Sequence, residues 1–154
     1  MYADLPTDEA LKMSCIKSWQ LLILLGVGLM SCAAVALATD SLRIELNKLE
    51  TEDSACRAYL VFENTTQHNF SGLTLDLVLF DKAGIVAKRL AVDAAPLLAD
   101  KTSFKLFDIE GLACNSIGRM LINDALNCKD ESREIANCVA QIRPASRSDV
   151  PLVK

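Results

Sequence analysis

Four cysteines, Cys56, Cys114, Cys128 and Cys138, follow residue 39 and offer this chain three kinds of chemistry. As thiolates they could hold zinc, but structural zinc sites space their ligands in close pairs such as Cys-x-x-Cys, and none occurs. A redox couple would want the same close pair, which lowers the pKa of one thiol. An even set in an oxidising compartment forms two disulfides, and that reading fits the spacing. His68 is the one histidine, with no carboxylate or cysteine next to it in sequence, so it reads as a solvated loop residue rather than a base or a ligand. No Gly-x-Ser-x-Gly elbow marks a nucleophile. Asp76, Asp81, Asp93, Asp100, Asp108 and Asp124 fall at strand faces and turns, where aspartate caps and solvates, and nothing singles out a catalytic pair. Asn64-Thr65-Thr66 and Asn69-Phe70-Ser71 match the glycosylation sequon, a short motif that by itself assigns no function. The sequence therefore offers no catalytic residue, cofactor site or metal site.

The elements that position these residues are strands. Leu73, Leu75, Leu77 and Leu79 recur at every second residue, the period of a strand with one face in a core. Asp81-Lys82-Ala83-Gly84 then supplies a turn, and Ile85 to Leu90 resumes an apolar run, so the pair predicts a hairpin. Leu42 to Asn47 and Cys56 to Glu63 alternate before it; Thr102 to Phe107, Ile117 to Asn123 and Val139 to Arg143 follow. Turn signals every 8–12 residues or so between about seven short strands predict an all-β, immunoglobulin-like or fibronectin type III-like antiparallel sandwich. It spans residues 39–144, with 145–154 as a partly disordered C-terminal tail.

Ahead of the sandwich, Trp19 to Ala38 is almost unbroken in apolarity, a signal helix. Ala36 and Ala38 occupy the small-residue positions that a signal peptidase needs, which predicts cleavage after Ala38 and Thr39 as the new terminus. Residues 1–38 are thus a signal peptide, whose natural start at Met13 would give the more ordinary flank, with Lys17 and no acid. No twin arginine precedes the run, which favours the general secretory route. Two other readings stay open: a membrane anchor through residues 19–38, and a lipoprotein modified at Cys32.

The 154 residues carry a net charge of −4 and no basic cluster, which argues against a nucleic-acid partner. In a sandwich, Cys56 and Cys114 fall at the starts of two strands that run the same way, at one end of the molecule. Cys128 and Cys138 bracket a charged excursion. Disulfide geometry needs Cα atoms within about 7 Å, so the pairing expected is Cys56–Cys114 and Cys128–Cys138. Tyr59, Val61, Val78, Phe80 and Val86 fall on nominal outer faces, a mark of protein interaction.

The strand ending at Asn64, the polar loop after it, the Asp81-to-Gly84 turn and the Asp100-to-Phe104 stretch together resemble a recurring bacterial β-sandwich module. Over most of residues 41–154 the chain also resembles a group of exported proteobacterial proteins labelled only by a twin-arginine (Tat) pathway signal sequence, a feature this chain lacks. That resemblance brings no activity, so no functional residue carries over. The expectation is a non-enzymatic periplasmic or secreted module that acts through protein–protein or envelope interaction, with a cell-envelope protein as partner, and touches membrane only through an uncleaved N-terminal segment. The alternatives are a small hydrolase-like enzyme with loop-borne carboxylates, or an anchored accessory subunit.

Overall fold

A computed structural model describes residues 40–131 and 133–154; the cleavage residues Ala36, Ala38 and Thr39, Met13 and the apolar run lie outside them. The described chain is mostly β, in nine strands: β1 Leu42–Glu52, β2 Ala55–Asn64, β3 Phe70–Asp81, β4 Val86–Asp93, β5 Lys101–Glu110, β6 Ile117–Asp130, β7 Arg133–Glu134, β8 Ile142–Ser146 and β9 Leu152–Val153. They form two sheets, in the orders β5-β2-β1-β8 and β4-β3-β6-β7, with β9 beside β6. The leucines of β3, Leu73 to Leu79, are completely buried, as are Leu42, Ile44 and Leu46 of β1 and Cys56, Ala58 and Leu60 of β2. Burying one such leucine contributes about 1.5–3 kcal/mol.

Departures from strict alternation have one cause, the β-bulge. In β1 the inward residues run Leu42, Ile44, Leu46 and then Leu49, and the pairing with β2 skips Asn47. One extra residue there restores the inward face for Leu49. On β6 the pairing with β3 skips Gly118, Asn123 and Leu126. Gly118 must be glycine, because a Cβ would lie 2.5 Å from the Asp81 carbonyl oxygen. Through these bulges β6 continues to Asp130, past the end expected at Asn123, so residues 124–130 belong to the sheet.

The last third corrects the sequence reading elsewhere too. Val139 to Arg143 is not one strand: Cys138–Gln141 is a single helical turn, α1, and β8 begins at Ile142. β8 lies parallel to β1, and β9 parallel to β6. The tail is ordered into the fold. Leu152 is buried, the Met120 amide donates to the Pro151 carbonyl at 3.0 Å, and Lys154 Nζ donates to the Val139 carbonyl at 2.8 Å. Parallel partners so distant in sequence leave no local pattern, which is why the tail reads as loose.

Both disulfides are present in the expected pairing. Cys56–Cys114 joins β2 to the 3₁₀ turn Cys114–Ser116 ahead of β6, linking the two sheets with a Cα separation of 4.9 Å. Cys128–Cys138 joins β6 to α1 at 6.4 Å.

Candidate interaction surface

The titratable residues noted in the sequence are occupied in holding the fold. Asp76 is buried on the outer face of β3, where Arg89 donates to both its oxygens at 2.8 and 2.9 Å and Asn123 Nδ2 donates at 2.6 Å. The Arg89 guanidinium, then Asn123, hold the Asp76 carboxyl below its ordinary pKa against the opposing effect of burial. Asp81 Oδ1 accepts from the Ala83 and Ile85 amides and so closes the hairpin turn. Asp93 and Asp124 cap the Ala95 and Ala125 amides. Asp108 is gripped by Arg57 at 2.7 and 3.0 Å, which lowers its pKa, and Asp100 supplies a left-handed backbone turn at φ 50°.

His68 does have a carboxylate beside it. Asp130 arrives from the far end of β6, with Oδ2 2.9 Å from Nδ1. The two residues are 62 positions apart, so no local pattern in the sequence points to the pair. Among the described residues no three His, Cys, Asp or Glu side chains stand close enough to share a metal ion. A broad cleft of about 820 Å³ opens where the β3–β4 turn and the 3₁₀ turn before β6 meet β1 and the β8–β9 loop. Its charged lining is Lys48, Lys82, Arg147 and a single carboxylate, Asp149.

The outer face of the four-stranded sheet is different in character. Cross-strand pairing places Val61 beside Phe104 and Tyr59 beside Leu106. Tyr59 and Phe104 stack with ring centroids 6.4 Å apart and planes 11° from parallel. Phe104 is 60% and Leu106 49% exposed, so with half-buried Tyr59 and Val61 they form an apolar strip of four side chains on the surface of β2 and β5. Phe107 and Ile109 face the other way, into the core. Because β5 carries large apolar residues on both faces, periodicity alone could not assign its orientation; Ile109, in phase with Phe107, was the available signal.

Charge frames the strip. Lys48 Nζ lies 5.3 Å from the Tyr59 ring centre and pairs with Glu50 at 2.6 Å, while the Tyr59 hydroxyl donates to Glu50 at 2.6 Å. On the β1 side, Glu45 is buried beneath Arg43, Asn47 and Arg147, at 2.6, 3.1 and 2.8 Å. Asn47, then the two arginines, hold its pKa down although burial pushes it up. Its importance was not legible, because Arg147 lies 102 residues away.

These carboxylates set the acid limit of the fold. Glu45, Asp76 and Asp108 all titrate lower in the folded chain than unfolded. The unfolded chain therefore takes up protons first as pH falls through the ordinary carboxylate range near 4, and stability declines from there through the depressed folded values. Urea midpoints should be flat from neutral pH to about 5 and fall steeply below about 4. Replacing Asp76 by Asn should flatten that fall.

No protein-family model matches the chain, and no curated protein matches it. The fold is similar to that of IrmA from Escherichia coli, with a TM-score of 0.53 over 68% of this chain and 91% of that one, at 13% sequence identity. At that identity the likeness is one of fold.

Proposed function

We propose that this chain is an exported, non-enzymatic binding module of the cell envelope, an immunoglobulin-like or fibronectin type III-like sandwich that holds another protein against the outer face of its four-stranded sheet. The observation that carries this reading is the open strip of Tyr59, Val61, Phe104 and Leu106. Apolar side chains framed by fixed ion pairs suit a partner that brings apolar groups at its centre and mixed charge at its rim. Export is supported by the two disulfides and by the apolar run that ends in Ala36-Leu37-Ala38.

The test starts from the envelope of the source bacterium. A protein captured there is identified, purified and titrated against wild type and Val61→Lys. Val61 lies on β2, away from the sheet edge, and its side chain is half-buried at the surface. The expected result is a loss of affinity of roughly tenfold or more. Equal binding by both proteins, or loss of binding only in Lys82→Glu at the cleft, would refute the reading.

A further inference from the structure

β5 ends its sheet, so one side of its backbone faces no strand. The Gly111 amide donates to the Ser54 carbonyl at 3.3 Å, which fixes the phase of the β2–β5 ladder. In an antiparallel pair, residues alternate between bonding their partner and pointing away. Odd-numbered residues of β5 therefore bond β2, and Thr102, Phe104, Leu106, Asp108 and Glu110 direct their amides and carbonyls outward. The Glu110 carbonyl bears this out, since it accepts from Lys88 Nζ of β4 at 2.5 Å. That contact closes the C-terminal end of the edge, and the left-handed turn at Asp100 closes the other. The open stretch runs from Thr102 to Asp108, and its centre is Lys105.

We propose that two copies of this chain pair through β5, antiparallel about a two-fold axis at Lys105, to make one continuous eight-stranded sheet. This goes beyond the binding function above and stands or falls without it. A two-fold contact must be self-complementary. In this register every outward-facing residue meets another: Thr102 meets Asp108 of the second copy, and Phe104 meets Leu106. The side chains agree with the backbone. Within one chain Val61 lies beside Phe104, and Tyr59 beside Leu106. Pairing Phe104 with the second copy's Leu106 therefore extends Val61–Phe104 into a row of four apolar residues that ends at the second Tyr59. The two-fold makes a second such row, and both lie on the same outer face. Shifting the register by two residues would set Phe104 against Asp108 or leave outward groups without a partner. The two Lys105 side chains meet at the axis, which opposes pairing. They project to the inner side, however, where each ammonium is held on its own chain's Ala95 carbonyl at 2.8 Å. The strip that gives the single chain its exposed apolar surface thus becomes the centre of the joined sheet.

The test uses protein expressed as the full chain in a disulfide-forming host, with mass measured by sedimentation and light scattering at micromolar concentrations. Wild type should have twice the monomer mass. Leu106→Pro should be monomeric with an unchanged circular dichroism spectrum, because the amide it removes points away from β2 and an edge strand accepts proline there. Lys105→Cys should link two copies covalently under mild oxidation, whereas Ser103→Cys should not, because only position 105 lies opposite itself. The cysteine pair keeps the proposal testable should Leu106→Pro fail to fold. Monomeric wild type, a dimer that survives in Leu106→Pro, or crosslinking through position 103 instead of 105 would overturn it.

Discussion

Replacing Cys56 and Cys114 together by alanine should lower the stability of the sandwich by about 4 kcal/mol. The bond closes a loop across 58 positions, and removing it frees that length of the unfolded chain. It also joins β2 of one sheet to the turn that opens β6 of the other, so its loss loosens the contact between sheets as well as the unfolded ensemble. Domains of this size are stable by only about 5–15 kcal/mol, so the change is a large part of the total. Urea unfolding followed by circular dichroism should show a lower midpoint and a steeper slope, because the unlinked chain exposes more surface. The Cys128–Cys138 bond spans 10 positions and clips α1 to the end of β6, so its removal should cost less, about 3 kcal/mol. A smaller loss for the Cys56–Cys114 pair than for Cys128–Cys138 would contradict the assigned roles.

Asn64→Asp should be nearly as damaging, at about 3 kcal/mol, for a polar reason. The Asn64 side chain is buried at the end of β2, and every valence of its amide is used. Nδ2 donates to the His68 and Leu98 carbonyls at 2.8 and 2.9 Å, and Oδ1 accepts from the Thr66 amide and hydroxyl at 3.1 and 2.7 Å. One side chain thereby binds the loop after β2 to the segment before β5. Aspartate keeps the acceptor but turns the donor into an oxygen facing two carbonyls. The buried charge then keeps only the two Thr66 donors while its other oxygen faces carbonyls, a costly arrangement. Melting temperature read by calorimetry would check this; an unchanged value would show that the loop network does not hold the fold. The same bonding explains why the Asn64-Thr65-Thr66 sequon has no free amide to offer.

How much could be read from the sequence follows from the range of each interaction. The β3–β4 hairpin was legible because its leucine alternation and its Asp81-to-Gly84 turn are local. The disulfide pairing was legible because a sandwich puts Cys56 and Cys114 at one end. The full extent of β6 was not, because Gly118, Asn123 and Leu126 are extra residues that break its period. Even so, Asn123 has a task at its bulge, turning its side chain onto Asp76. β8 and β9 leave no local signal, because each lies parallel to a strand far away in sequence. Alternation alone places Tyr59 and Val61 on the outer face. Their partners Phe104 and Leu106 became visible only once the β2–β5 register was known.

Site-specific photo-crosslinking in the cells that make this protein tests the proposed binding surface most directly. A photoreactive residue is placed at Val61 in one strain and, as a control, at Val78 on the outer face of the five-stranded sheet in another. Both positions are half-buried, so exposure does not distinguish them. The result expected is a discrete adduct to another envelope protein from position 61 and none from position 78. An adduct from position 78 alone, or none from either, would contradict the assignment of the four-stranded sheet as the surface that holds the partner.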